Sequence, residues 1–285
     1  MKILLLGAKG NLGGQIEKVL SEYDVIAWDR EEIDITDKEL VEKKIADLKP
    51  DIIINTAAYN AVDKCEKDEE SYGIAKKLNG DAVGYIADAA IKNNSILIHY
   101  STDYVFDGQN KDGYKEDDET SPVNKYAQTK LMGEREIVTR SAQGLKYYLI
   151  RTSKLFGPVG ESKVSKPNFF DLMLNLAKDR EKLTAVDEEV SCFTYTTDLA
   201  RETKRMIEEK ENYGIYHIVN GSSCTWFEAA VELFKIAKIN ILVEPVSSDS
   251  FPRPAKRPKY SVLLNTKLEP LRDWREALKE YLIKK

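Results

Sequence analysis

Tyr126 and Lys130, in the run Tyr126-Ala127-Gln128-Thr129-Lys130, stand four residues apart. On a helix that spacing puts both side chains on one face, where they can reach one ligand. An ammonium near a phenol favours the phenolate and makes tyrosine a usable proton donor near neutral pH. Such pairs also arise on ordinary solvated helices, so the rest of the chain must supply a cofactor and a pocket. Upstream, Ser101-Thr102-Asp103 adds hydroxyls and a carboxylate directly after the strand-like run Ile96 to Tyr100.

The elements that must position these groups begin at residue 2. The apolar run Lys2 to Leu6 leads into Gly7-Ala8-Lys9-Gly10-Asn11-Leu12-Gly13 and then a helical stretch, Gln15 to Leu20. Strand, glycine turn and helix in that order let the backbone approach a pyrophosphate at the positive end of the helix. A second strand, Asp24 to Trp28, ends at Asp29, the spacing at which an acid binds the adenosine ribose. Asp29 would repel a 2′-phosphate and Arg30 would pair with one, so both NADH and NADPH remain open as the cofactor. The expected cofactor contacts are Gly7, Gly10, Asn11, Leu12, Gly13, Asp29, Arg30, Asp34, Ile35, Ala57, Ala58, Tyr59 and Tyr100, together with Tyr126 and Lys130.

A helix is predicted from Asp37 to Leu48 with Thr36 as its cap, closed by Pro50. Asp51 to Asn55 reads as a buried third strand of a parallel sheet, and the small residues after it leave room at the sheet's carboxyl end. Further helices are predicted over 74–93, from the Ser121-Pro122 cap through Tyr126 and Lys130 to Gly144, and near 169–178, 196–209, 225–237 and 271–283. Lys146 to Arg151 reads as a strand. The charge runs Lys67 to Glu70 and Lys115 to Glu119 read as solvated surface. Alternation fades after Arg151, and 251–258 holds too many prolines for regular structure. The expectation is an α/β chain: a Rossmann-type, doubly wound parallel sheet, mainly 1–151 with returning elements at about 190–220. A smaller C-terminal substrate-binding domain, mainly 152–285, follows it.

Composition excludes several classes. With 32% charged residues and a net charge of −5, the chain lacks the concentrated basic surface that nucleic acid requires. No apolar run reaches spanning length, and Met1 to Leu6 runs into glycines instead of a cleavage site, so a cytoplasmic, membrane-free protein is expected. Cys65, Cys192 and Cys224 are odd in number and widely spaced, which suggests neither a disulfide framework nor zinc. His99 and His217 lie in strand-like runs and read as satisfied sheet histidines. No metal site is expected.

Three longer strings now bear on identity: 55–64 (Asn55-Thr56-Ala57-Ala58-Tyr59-Asn60-Ala61-Val62-Asp63-Lys64), 101–108 (Ser101-Thr102-Asp103-Tyr104-Val105-Phe106-Asp107-Gly108) and 126–134 (Tyr126 to Glu134). With Arg253-Pro254-Ala255-Lys256-Arg257-Pro258 they follow one another as in the extended short-chain dehydrogenase/reductase family, which the chain resembles over nearly its whole length. That resemblance implies reduction of the C4 ketone of a deoxythymidine-diphosphate 4-keto-6-deoxysugar by NADPH or NADH. Tyr126 would be the proton donor, Lys130 would hold the nicotinamide ribose, and Thr102 would hydrogen-bond the carbonyl oxygen. Asp103 is implied as a sugar contact, and Arg257 and Arg253 as partners of the diphosphate.

Two departures fall in the substrate half. Arg151-Thr152-Ser153-Lys154 places Lys154 where the family usually has tryptophan, making an ammonium the expected substrate contact there. Ser191-Cys192-Phe193-Thr194 replaces a Gly-(Ser/Ala)-Pro-Thr pattern, and Ala127 replaces a common glycine. Two other readings stand beside reduction. One is a reductase or epimerase of another nucleotide sugar. The other is a non-catalytic subunit resembling the regulatory β subunit of methionine adenosyltransferase. The expected partners are a nucleotide sugar and, as an option, a second copy of the chain in a homodimer.

Overall fold

The computed structural model describes residues 1–163 and 165–285. Its strands are β1 (Lys2–Leu6), β2 (Asp24–Trp28), β3 (Ile52–Asn55), β4 (Ile96–Thr102), β5 (Lys146–Thr152), β6 (Leu155–Phe156), β7 (Lys182–Val186), β8 (Ser191–Cys192), β9 (Thr194–Tyr195), β10 (Gly214–His217), β11 (Ser223–Cys224) and β12 (Leu242–Val246). Its α-helices are α1 (Gly13–Val19), α2 (Lys38–Leu48), α3 (Val62–Lys67), α4 (Glu69–Lys76), α5 (Ala82–Asn93), α6 (Lys125–Ser141), α7 (Phe169–Leu176), α8 (Thr196–Glu209), α9 (Trp226–Ala237) and α10 (Trp274–Lys284).

Six strands form one parallel sheet in the order β10-β5-β4-β3-β1-β2. Side chains alternate across a pleated strand, so the apolar runs feed two cores at once. Ile3, Leu5, Ile52, Ile54 and Ile98 pack with α1 and α8. Leu4, Leu6, Ile53, Leu97 and Leu149 pack with α2, α5 and α6 on the other face. Strand order reverses between β1 and β3, which opens a crevice at their carboxyl ends, the usual ligand position in such sheets. The glycine turn after β1 and Thr56-Ala57-Ala58 after β3 meet at that crevice.

A second lobe grows mainly from the C-terminal half. There β7 pairs with β12, β6 with β9, and α7, α9 and α10 enclose an aromatic core of Phe156, Phe170, Phe193, Tyr195 and Trp274. Among the described residues no helix is long and apolar enough to cross a membrane.

Several boundaries differ from expectation. Helix α2 is capped by Asp37, whose carboxylate accepts from Leu40 N–H at 3.0 Å, not by Thr36. Helix α6 is capped by Asn124, which accepts from Ala127 N–H at 2.8 Å, so Ser121-Pro122 stays outside. Tyr126 is thus the second residue of the helix. The last helix starts at Trp274, where Asp273 accepts from Arg275 N–H. The helix expected over 74–93 is two helices joined by a π-helical turn at Lys77–Asp81. The turn swings Asn79 inward, where it bonds both backbone atoms of Tyr59 and the Thr129 hydroxyl. Gly133 lets α6 approach that turn, since a Cβ there would lie 2.2 Å from the Asn79 carbonyl oxygen. The Lys115 to Glu119 run is not all solvated. Glu116 is buried, accepts from the Thr266 backbone and hydroxyl, and lies beside Arg151, whose guanidinium pairs with Glu134 at 2.8 Å.

Candidate active site

The crevice is built for close backbone approach. Gly7 sits at φ 78°, and its N–H is tied to the Trp28 carbonyl at 2.9 Å. A Cβ on Gly7 would fall 2.7 Å from the Ala57 nitrogen, and one on Gly13 only 2.2 Å from the Gly7 carbonyl oxygen. Both contacts lie far inside van der Waals distance, so glycine alone fits. The turn therefore presents bare backbone at the start of α1, as a pyrophosphate requires. Leu12 anchors the turn by burying its side chain in the sheet core.

Asp29 joins the turn from the end of β2, accepting from Lys9 N–H at 3.1 Å and Arg30 N–H at 2.8 Å, with Arg30 exposed beside it. Asp34 caps its own turn through Thr36 N–H and hydroxyl, and these bonds hold its carboxyl below the usual range. Ile35 is buried in the α2-side core, supporting this rim from below. Asn11 uses its amide on the second lobe, accepting from Gly160 N–H at 2.9 Å and donating to the Lys166 carbonyl at 3.2 Å. Gly160, Ser162 and Lys166 thus lie against one side of the glycine turn. Ala57, Ala58 and Tyr59 are half-buried at the end of β3. These residues fit a dinucleotide.

The reactive set converges from β4 and α6. Thr102 is the last residue of β4, in register with Thr152 of β5. Its hydroxyl accepts from Tyr104 N–H and donates to Asp103 at 3.1 Å. Tyr126 is buried, with its hydroxyl 3.3 Å from the Asn60 amide oxygen and its ring edge-on to Tyr104. Burial, with the Asp103 charge behind it, pushes the phenol above its ordinary value, and the Thr102 hydroxyl opposes that rise. The expected depression of Tyr126 by Lys130 is therefore not what the fold produces. Lys130 is also buried, and its ammonium donates to the Tyr100 carbonyl at 2.7 Å. Burial lowers this amine to about 8, partly offset by Glu134. Tyr100 contributes only that carbonyl, because its own hydroxyl is inside the α8-side core against Thr203 at 2.7 Å.

The substrate-side residues behave differently from one another. Asp103 is buried and takes hydrogen bonds from Thr102, from Ser153 at 2.8 Å and from Ser261 at 2.6 Å. That internal network makes it a brace between β4, β5 and the C-terminal segment. Burial raises its carboxyl above the ordinary value despite those donors. Lys154 adopts a positive φ of 38° and places its ammonium 3.7 Å from the centre of the Trp226 ring and 5.2 Å from that of Phe193. This nitrogen is buried with no hydrogen-bond partner among the described residues, and burial lowers it to about 8. Arg257 pairs with Asp63 at 2.8 Å, bridging the C-terminal segment to α3, while Arg253 pairs with buried Glu189, which also accepts from the Trp226 indole at 3.0 Å. Lys154, Trp226, Glu189 and Arg253 thus form one cluster.

Sequence reasoning passed over Asn60, Asn79, Glu189 and Trp226. Asn60 lies inside a string already singled out, directly after Tyr59. The others carry no local signal, because a π-turn and pairings across the second lobe bring them in.

A family model described as the RmlD substrate binding domain matches residues 1–285. A protein of Aggregatibacter actinomycetemcomitans named dTDP-4-dehydrorhamnose reductase is 37% identical, over 98% of this chain and 97% of its own. The Bacillus subtilis spore coat polysaccharide biosynthesis protein SpsK is 33% identical, over 99% and 96%. Among solved structures, a dTDP-4-dehydrorhamnose reductase of Clostridium acetobutylicum superposes with a TM-score of 0.91 at 40% identity, covering 100% of this chain and 99% of its own. One of Bacillus anthracis, solved in complex with NADP, gives 0.91 at 33% identity, with 100% of both chains covered. The chain belongs to the RmlD family of dTDP-4-dehydrorhamnose reductases.

Proposed function

We propose that this protein reduces the C4 ketone of a dTDP-4-dehydro-6-deoxysugar, forming dTDP-rhamnose from dTDP-4-dehydrorhamnose. The observation that carries this reading is the convergence of Thr102, Tyr126 and Lys130 beside a glycine turn that admits only backbone. Bound along that turn, NADPH or NADH supplies the hydride. Tyr126 stays protonated in its buried setting and donates its proton to the alkoxide as negative charge develops on the ketone oxygen. The Thr102 hydroxyl, half-buried at the end of β4, turns toward the same oxygen and stabilises that charge. Lys130 holds the nicotinamide ribose with its ammonium, already oriented by the Tyr100 carbonyl.

On this reading the sheet domain holds the cofactor and the segment beyond residue 152 holds the sugar nucleotide. Arg257 supplies a guanidinium for the diphosphate, supported by its partly buried place opposite α3. Arg253, tied to Glu189, has the weaker claim to that role. Lys154 lines the sugar side, supported by its unpartnered nitrogen close after the end of β5. A soluble nucleotide-sugar substrate suits a cytoplasmic enzyme. A homodimer is the assembly of this reading, measurable by light scattering.

The test is incubation with dTDP-4-dehydrorhamnose and each nicotinamide in turn. Cofactor oxidation with a 4-hydroxy product supports reduction. An isomerised sugar without net cofactor oxidation would establish an epimerase instead. Binding of nicotinamide with no turnover of any 4-keto sugar nucleotide, and co-purification with another enzyme, would support the regulatory-subunit reading.

A further inference from the structure

His99 is buried in the middle of β4, where the reduction described above gives it no task. Its surroundings fix its proton. Asn55, at the end of β3 alongside it, accepts from Ala57 N–H at 3.1 Å through Oδ1. A backbone N–H can only donate, so the amide's oxygen end is committed there and Nδ2 faces the imidazole, 3.2 Å from Nδ1. Nδ1 must then accept, and in the neutral ring the hydrogen resides on Nε2. That Nε2–H lies 3.4 Å from Lys130 Nζ. An ammonium at Nζ would bring two donors face to face, whereas a free amine offers a lone pair to the Nε2–H.

We propose that His99 is a positioning residue acting through Lys130: locked by Asn55 with its hydrogen on Nε2, it presents a donor to the lysine nitrogen. It thereby holds that nitrogen against the Tyr100 carbonyl and weakens its grip on its proton. Burial acts in the same direction on both groups, lowering Lys130 to about 8 and, with the Lys130 charge, pushing His99 well below its ordinary value. The other titratable groups on elements packed around this part of α6 leave His99 as the group within hydrogen-bonding reach. Glu134 raises Lys130 but is committed to Arg151 of β5. Asp103 after β4 is tied to Ser153 and Ser261. Glu66 of α3 accepts from Lys125 N–H. Cys65 of α3 is buried beside Tyr126, Tyr72 of α4 reaches Gln128, and the π-turn adds Lys77 and Asp81. The functional consequence is that the cofactor-side lysine, still an ammonium at pH 7, loses its charge at lower pH than an ordinary lysine.

The inference rests on Lys130 serving the cofactor, but its tests need no sugar nucleotide, so a failed reduction assay leaves them standing. The first uses the unaltered full chain. With only two histidines, ¹⁵N NMR of labelled imidazoles, assigned through His217→Gln, should show His99 neutral and protonated on Nε2. A hydrogen on Nδ1, or a charged ring at neutral pH, would overturn the proposal. The second follows the lysine Cε signal of Lys130, assigned by its loss in Lys130→Arg. It should titrate near 8 in the parent and at least about 0.5 pH unit higher, roughly threefold in proton affinity, in His99→Gln, whose amide oxygen can accept from the ammonium. NADPH affinity, read by fluorescence, should decline at correspondingly higher pH in that variant. An unmoved Lys130 titration in folded His99→Gln overturns the proposal. If that variant does not fold, the ¹⁵N measurement decides.

Discussion

Lys130 Nζ donates to the Tyr100 carbonyl at 2.7 Å, while the Tyr126 hydroxyl, one turn earlier on α6, points to the Asn60 amide at 3.3 Å. The two groups share a helix face yet keep separate partners, so their replacement has separable effects. Tyr126→Phe removes one hydroxyl and its weak bond to Asn60, leaving the ring packed against Tyr104. NADPH affinity should stay within about threefold and kcat should fall by roughly 10²–10⁴, the usual contribution of a general acid. Stopped-flow reduction with fluorescence titration of NADPH measures both. An unchanged kcat would refute the proton-donor role.

Replacing Lys130 should act on binding as well. Lys130→Met keeps most of the buried stem but removes the donors meant for the ribose, so NADPH affinity should fall about tenfold or more alongside kcat. A loss confined to kcat would show that the lysine does not hold the cofactor.

Lys154 makes a stability prediction with a defined sign. Its folded-state proton affinity is depressed to about 8 from 10.5, so the folded protein binds fewer protons than the unfolded chain between those values. Stability therefore rises with pH across that window, because the buried ammonium is costly while charged. Lys154→Met should be more stable than the parent by about 1–3 kcal/mol at pH 7. The advantage should shrink as pH climbs from 8 toward 10.5. Urea unfolding at pH 7 and pH 10 tests this. Equal stability at pH 7 would mean that the Trp226 ring compensates the charge fully.

The fold was largely legible because each central strand is an apolar run short enough to be a strand and punctuated by glycine or proline, as at Gly7 and Pro50. The strings that carry the proposed reactive residues stood out because Ser101-Thr102-Asp103 and Tyr126 to Lys130 are contiguous runs at element ends. Their electrostatics did not. The depressed phenol expected from i,i+4 spacing left out burial and the charge of Asp103, which together push the Tyr126 phenol up. The bracing of Asp103 was equally invisible, since its partner Ser261 lies 158 residues further on. Caps at Asp37 and Asn124 were missed because several residues that can cap stood close together, and backbone geometry alone chose between them.

Arg257 offers a test of what the C-terminal segment binds. It is partly buried, pairs with Asp63 at 2.8 Å and donates to the Ala255 carbonyl. Burial raises the Asp63 carboxyl, yet the Arg257 and Ala255 donors and the nearby arginine charges together hold it below the ordinary value. Arg257→Gln should raise KM for the sugar nucleotide by roughly 10–100-fold with kcat little changed, as loss of a charged hydrogen bond to ground and transition states alike requires. Asp63→Asn should raise KM much less, because it leaves the guanidinium in place. If both variants raise KM equally, the ion pair matters only as a bridge between the lobes.

On the proposed function cofactor choice turns on Asp29, which would do two jobs at once. One is structural, accepting from Lys9 N–H in the glycine turn at 3.1 Å. The other, on the proposed binding mode, is electrostatic, because its charge would stand where a 2′-phosphate would lie, beside the exposed guanidinium of Arg30. Asp29→Ala would confuse the two by loosening the turn and weakening both nicotinamides. Asp29→Asn keeps an oxygen for Lys9 N–H and removes the charge, giving up only the second acceptor, which serves Arg30 N–H. The ratio of Kd for NADPH to Kd for NADH should therefore fall about tenfold, or ~1.4 kcal/mol. The effect should be largest at low salt, where charge repulsion is least screened. Arg30→Gln should move the ratio the opposite way if its guanidinium pairs with that phosphate. A ratio unmoved in both variants would place the ribose away from the end of β2, and with it would fall the assignment of Asp29 and Arg30 to the cofactor.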